Sequence, residues 1–125
     1  MKNKRIMIIG GTGALGKQLT NRWDENNDIL IFSRNEHKQE DMKRIYPKPL
    51  YRIGDVKDKE SILRSMYEFK PDVIVNTAAL KTVWVAQDNP YETILTNIVG
   101  HQYLIDCVRE CRHQIESLMF ISTDK

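Results

Sequence analysis

The 125-residue sequence contains little cysteine, no long apolar run and little net charge. Its two cysteines, Cys107 and Cys111, lie four positions apart in a helical stretch, so we predict reduced structural thiols and no metal site. No run of apolar residues approaches the length of a membrane span and the N-terminus has no signal-peptide core, which predicts a cytoplasmic protein. The net charge of +2 gives no reason to expect a nucleic-acid partner.

Glycine is also scarce, with six residues, yet four of them fall between Gly10 and Gly16. They follow the apolar run Ile6–Ile9 and precede a helix-forming segment. This order is typical of a strand that turns sharply into a helix whose N-terminus faces an anion, with glycines allowing a pyrophosphate to approach. The stretch therefore predicts a dinucleotide site, with a tight turn that binds nothing as the alternative. The predicted loop contacts are Gly10, Thr12, Gly13, Ala14, Leu15 and Gly16.

Apolar runs alternate with helical stretches along the whole chain, which predicts an α/β fold. The predicted strands are Ile6–Ile9, Ile29–Phe32, Leu50–Ile53, Val73–Asn76 and Leu118–Ile121. The predicted helices are 14–23, 35–45, a segment capped by Asp58 and ending near Phe69, and a long segment from Asn89 with the apolar stripe Ile94, Ile98, Ile105 and Val108. Strands that are nearly all apolar indicate a Rossmann-type parallel sheet with helices on both faces and the strand order 3-2-1-4-5.

Polar residues after strands two and three suggest which dinucleotide is bound. Sites selective for NAD usually carry a carboxylate at the end of strand two, but here Ser33 and Arg34 occupy that place. Because a guanidinium suits a 2′-phosphate, we predict NADP, with Lys38 adding positive charge. Asp55 is predicted to accept from the adenine amino group while Val56 packs on the ring. The alternatives are a solvated arginine and an ordinary helix cap.

Four later motifs carry a more specific signal, together with the glycine loop and Phe32-Ser33-Arg34. They are Asn76-Thr77-Ala78-Ala79-Leu80-Lys81, Asn89-Pro90-Tyr91-Glu92, Thr96-Asn97-Ile98-Val99-Gly100 and Ser122-Thr123-Asp124-Lys125. In this order they resemble the extended short-chain dehydrogenases/reductases, in the polysaccharide-biosynthesis branch of inverting UDP-N-acetylglucosamine 4,6-dehydratases. The resemblance extends over the whole chain.

The resemblance implies a reaction on a UDP-N-acetylhexosamine in surface polysaccharide or glycan biosynthesis. It implies oxidation at C4 by NADP⁺, loss of water across C5 and C6, return of the hydride to C6 and inversion at C5. Asp124 would be the acid at the C6 hydroxyl, Lys125 the base at C5, and Thr123 a hydrogen-bond partner of the C4 oxygen. The remaining implied contacts are Asn76, Ala78 and Ala79 along the cofactor, Lys81 near the nicotinamide or sugar, and Asn97 beneath the loop. A polar loop after the last strand, a solvated lysine and a helix-surface asparagine are the alternatives.

Two departures from the family pattern limit this interpretation. Trp84 stands where the family commonly has proline, which leaves the exact sugar open. The family's Tyr-x-x-x-Lys pair is expected beyond Lys125, so we interpret residues 1–125 as the N-terminal NADP-binding domain of an enzyme. We expect this domain to be inactive by itself and the enzyme to be a homo-oligomer. A UDP-sugar 4-epimerase and a non-catalytic NADP-binding module are the alternative functions.

Overall fold

The computed structural model describes residues 1–77, 100–111 and 115–120, with the backbone alone for residues 100, 101 and 120. Strands and helices alternate through these residues. In chain order they are β1 (Arg5–Ile9), α1 (Ala14–Trp23), β2 (Asp28–Ser33), α2 (Glu36–Ile45), β3 (Leu50–Ile53), α3 (Lys59–Phe69), β4 (Val73–Asn76), α4 (Gly100–Glu110) and β5 (Ser117–Phe120). The predicted strands and the first three helices are thus confirmed within one residue at most ends. Of the predicted long helix, α4 is confirmed, and the start predicted at Asn89 lies outside the described residues.

The five strands form one parallel sheet in the order β3-β2-β1-β4-β5, which confirms the predicted Rossmann-type topology. At the centre, Ile8 of β1 pairs with Ile31 of β2 and with Val75 of β4. The strand order reverses between β1 and β4, since β2 and β3 lie on one side of β1 while β4 and β5 lie on the other. The carboxyl ends of β1, β2 and β4 therefore border the crevice where such sheets bind ligands.

Helices pack on both faces of the sheet, because successive strand residues point to opposite sides. Met7 and Ile9 of β1 belong to one buried cluster, with residues of α3 and α4. Ile6 and Ile8 belong to the other, with Met42 of α2 and the half-buried Leu19 of α1. The sheet centre is therefore fully covered, which gives the carboxyl ends of the strands a rigid base.

The covering is thinner at the edge strand β3, where the half-buried Tyr51 packs against one buried cluster. Leu50 and Ile53 are 56% and 51% exposed, and within the part of the chain that the structure describes β3 pairs only with β2. No helix of the described residues is long and apolar enough to cross a bilayer.

The buried face of α4 differs from the predicted stripe. Leu104, Cys107 and Cys111 are the buried residues, while Val108 only packs against their cluster and Ile105 is half-buried. Cysteine behaves as a small apolar residue in a core, so a stripe drawn from isoleucine and valine alone was rotated away from the true face. Both thiols are free, and burial raises the pKa of Cys107 to about 12, which suits the structural role predicted for them. Ile94 and Ile98 lie outside the described residues.

Candidate functional site

The glycine-rich loop lies at the carboxyl end of β1, folded tightly against the start of α1. Gly10 adopts φ = 78°, a conformation that favours glycine, and its N–H donates to the Phe32 carbonyl at 2.7 Å. A Cβ at Gly16 would collide with the backbone of Gly11, and one at Gly11 would lie 2.8 Å from Cγ2 of Ile31. The glycines therefore bring the helix and the loop closer than side chains would allow.

The N-terminus of α1 differs from those of α2 and α3. The side chain of Asn35 accepts a hydrogen bond from the N–H of Lys38 in α2, and Asp58 caps α3 in the same way. Gly13 provides no such cap, and no carboxylate lies in the first turn of α1. The N–H donors and the positive end of this helix dipole are thus available to an external anion.

Thr77, which follows β4, ties the neighbouring strand to the glycine loop. Its hydroxyl donates to the carbonyls of Ile9 at 2.7 Å and Gly10 at 3.0 Å, and its N–H donates to Ile9 at 2.8 Å. Asn76 is buried directly before it. These bonds hold the end of β4 against the loop and form the floor of the crevice.

The ends of β2 and β3 bring two predicted cofactor residues together. Nη1 of Arg34 lies 3.9 Å from Oδ2 of Asp55, and the arginine side chain is 67% exposed. The other Asp55 oxygen accepts from the N–H of Lys57 at 3.0 Å. Because Asp58 is the residue that caps α3, the alternative reading of Asp55 as that helix cap is wrong. Lys38 is exposed in the first turn of α2.

Gln39 is a site residue that the sequence analysis missed. Its side chain is buried in α2, and Nε2 donates to Oγ of Ser33 at 2.8 Å and to the carbonyl of Arg52 at 2.9 Å. A signal was available, because Gln39 lies three positions before the buried Met42 and so occupies the apolar face of its helix. A glutamine at such a position requires a hydrogen-bond partner inside the fold.

The structure gathers the described predicted residues along the carboxyl edge of the sheet. Val56 is half-buried and packs against the core, Thr12 is buried, Leu15 is half-buried and Ala14 is exposed. Among the described residues no three side chains form a cluster suited to a metal ion. The predicted site residues outside the described residues are Ala78, Ala79, Lys81, Asn97, Thr123, Asp124 and Lys125, as is Trp84.

Comparisons with known proteins show which enzymes this chain is similar to. A UDP-N-acetylglucosamine 4,6-dehydratase (inverting) of Campylobacter jejuni is 42% identical over 98% of this chain and 37% of its own length. A UDP-glucose 4-epimerase of Rickettsia canadensis is 34% identical over 98% of this chain and 37% of its own length. The chain thus spans little more than a third of the curated relatives that it matches.

A UDP-glucose 4-epimerase structure from Stenotrophomonas maltophila, with bound NAD and formylated UDP-arabinopyranose, superposes with a TM-score of 0.80. It covers 94% of this chain and 36% of its own at 22% identity, so the likeness concerns the fold alone. The family model described as polysaccharide biosynthesis protein matches residues 6–125. With the glycine loop, the strand order and this match together, the chain belongs to the polysaccharide biosynthesis protein family.

Proposed function

We propose that this chain is the cofactor-binding part of an NADP-dependent UDP-N-acetylglucosamine 4,6-dehydratase that inverts C5 and acts in surface polysaccharide or glycan biosynthesis. The family match and the 42% identity to a curated enzyme of that activity support the proposal. Residues 1–125 as one NADP-binding domain, a homo-oligomeric state and a cytoplasmic location stay predictions.

The observation that carries the cofactor part is the uncapped start of α1. A pyrophosphate fits there, because Gly13 leaves backbone donors without a side-chain acceptor and Gly16 lets the loop close against the helix. The adjoining loop residues Thr12, Ala14 and Leu15 would complete the binding surface. The residues present therefore fit a dinucleotide at this edge.

The choice of NADP rests on the end of β2. Ser33 is buried and carries no charge, and the next residue, Arg34, extends a guanidinium into solvent. A 2′-phosphate would accept charge-assisted hydrogen bonds from that guanidinium, with Lys38 adding attraction from α2. The structural relative with bound NAD represents the alternative, since NAD carries no 2′-phosphate.

The dinucleotide, when bound, supplies a hydride acceptor for C4 of the sugar and a hydride donor for C6. The chain's own residues would move the protons of the elimination, while the C4 hydroxyl proton would go to the tyrosine of the Tyr-x-x-x-Lys pair expected beyond Lys125. Lys125 would take the proton from C5, which the C4 ketone makes acidic, and Asp124 would give a proton to the departing C6 hydroxyl. Thr123 would hydrogen-bond the C4 oxygen. Asn76, Ala78, Ala79, Lys81 and Asn97 keep the cofactor-side roles that the resemblance implies.

A UDP-sugar 4-epimerase is the second candidate, favoured by the 34% identity to a curated epimerase. The two activities differ in what happens after oxidation at C4, because only the dehydratase needs an acid and a base for elimination at C5 and C6. Asp124 and Lys125 directly after Thr123 therefore favour the dehydratase. A non-catalytic NADP-binding module would bind the cofactor without turnover.

The deciding experiment incubates the protein encoded by the complete gene with NADP⁺ and UDP-N-acetylglucosamine and follows the product by mass spectrometry. Loss of one water supports the dehydratase, and an Asp124→Asn variant should then bind NADP⁺ without eliminating water. A product of unchanged mass with inverted C4 would identify the epimerase. Binding without turnover supports the module, and absence of dinucleotide binding overturns the whole proposal.

A further inference from the structure

We infer that Gln39 is a positioning residue that sets the preference for a 2′-phosphate, acting through the backbone on which Arg34 stands. The inference rests on the proposed NADP function and adds a residue that does not itself touch the cofactor. It starts from a buried polar side chain, 5% exposed, at the carboxyl edge of the sheet.

The amide of Gln39 joins the ends of two neighbouring strands. Nε2 donates to Oγ of Ser33, the last residue of β2, and to the Arg52 carbonyl of β3, with the Ser33 carbonyl a longer third contact at 3.3 Å. The same Ser33 carbonyl accepts from the N–H of Gly54 at 2.9 Å. One side chain on α2 thus ties the two strand ends to the helix, in addition to the backbone pairing between β2 and β3.

Each strand end continues directly into a predicted cofactor residue. Arg34 follows Ser33, and Asp55 follows Gly54. Their mutual contact of 3.9 Å involves a guanidinium that is 67% exposed, and exposed pairs of this kind contribute little to holding a side chain in place. The buried amide is the firmer anchor, because removing its donors would take away the buried hydrogen bond to Oγ of Ser33 and the part-buried one to the Arg52 carbonyl.

The consequence is a selectivity that depends on a residue remote from the phosphate. A shift of the Ser33 backbone would move Arg34 relative to the start of α1, and charge-assisted hydrogen bonds lose strength steeply with misalignment. Binding of the rest of the dinucleotide depends on Gly13 and Gly16, which Gln39 does not contact. Loss of Gln39 should therefore reduce 2′-phosphate recognition selectively.

The test compares 2′,5′-ADP with 5′-AMP by calorimetric titration of the complete protein. Gln39→Met keeps the length of the side chain and removes its donors. Gln102→Met on α4 is the matched control, since Gln102 is exposed and, among the described residues, its side chain bonds only Asp106 of its own helix. We expect Gln39→Met to reduce the preference for 2′,5′-ADP by about tenfold while affinity for 5′-AMP changes less than about twofold. The control should match the wild type.

A second arm separates positioning from general damage to the fold. In an Arg34→Met background the effect of Gln39→Met on the preference should disappear, because both changes act on one interaction. Equal loss of both ligands, or a persistent effect in that background, would overturn the inference. Should Gln39→Met not fold, Gln39→Asn decides, since its amide is one methylene too short to reach both strands, and an unchanged preference would overturn the inference. A wild type without any preference for 2′,5′-ADP refutes the NADP proposal itself.

Discussion

The polar groups at the two edges of the sheet differ in how far they are paired within the fold. At the amino edge a groove of about 440 Å³ is lined by three cationic side chains, and each of them has a partner in the fold. Lys4 contacts Glu116 at 2.8 Å, Arg5 donates to the Phe69 carbonyl at 2.7 Å, and Lys48 donates to the Asp24 carbonyl at 2.6 Å. At the carboxyl edge, α1 begins without a side-chain cap and Arg34 stands largely in solvent.

This difference separates groups that hold the fold together from groups that are available to a ligand. The amino edge links strands to one another, as Lys4 before β1 does with Glu116 before β5. The carboxyl edge fixes its backbone through Gln39 and Thr77 and leaves donors directed outward. Substitutions at the first edge should change stability alone, and those at the second should change ligand binding.

The largest effect is expected for Gly16→Ala, at the carboxyl edge. The added methyl group would collide with the backbone of Gly11, so α1 must move away from the loop. We expect stability to fall by about 2 kcal/mol and dinucleotide binding to be lost. Chemical denaturation and titration with NADP⁺ measure the two effects. Lys17→Ala, on the exposed side of the same helix, should leave both close to wild type, and a Gly16→Ala variant that binds normally would contradict the packing argument.

The second effect is expected for Arg34→Met, which removes the charge and retains much of the side-chain volume. Affinity for 2′,5′-ADP should fall by about 10- to 100-fold, the range for hydrogen bonds to a charged group, with stability unchanged. Arg44→Met on α2 is the control, since that arginine is also exposed and contacts Asp41. Equal losses for 5′-AMP and 2′,5′-ADP would assign Arg34 to some other role.

A smaller effect is expected at the amino edge for Lys4→Met. The hydrogen bond to Glu116 raises the pKa of Lys4, so the pair stabilises the fold fully below the usual lysine value of 10.5 and loses its contribution as pH rises through the folded-state pKa. Thermal melts at neutral pH should show a slightly lower midpoint for the variant, and the difference from wild type should vanish in strongly alkaline solution. NADP⁺ affinity should not change, and a change would break the contrast between the edges.

The smallest effect is expected for Asp24→Asn, at the end of α1. One carboxylate oxygen is buried with no hydrogen-bond partner among the described residues, and desolvation raises the pKa of Asp24. A raised pKa means that ionisation of Asp24 costs stability, so the contribution of this one group is most favourable below the usual value of 3.8 and is lost as pH rises through the folded-state pKa. The variant should gain a small amount of stability at neutral pH, and the gain should fade in acid. Glu25→Gln, exposed beside it, is the control in parallel melts.

The parts of the fold that were predicted correctly are those that local sequence determines. An apolar run such as Ile29–Phe32 is stable as a strand buried between covering helices. Asn35 and Asp58 cap α2 and α3 through contacts within three residues. The role of Gln39 depends instead on the Arg52 carbonyl, which only the packing of α2 beside β3 brings within reach. The face of α4 likewise depends on Met66 of α3, against which Cys111 packs. The catalytic residues named by resemblance stay predictions.

The hydrogen bonds of Thr77 order part of the crevice before a ligand binds, which bears on how tightly a ligand can bind. Its hydroxyl bridges the successive carbonyls of Ile9 and Gly10, so the neighbouring strand holds the start of the loop in one arrangement. A flexible loop would have to become ordered on binding and would lose conformational entropy, which weakens affinity. Here the start of the loop is already ordered when the chain folds, so binding of a pyrophosphate would lose less conformational entropy there.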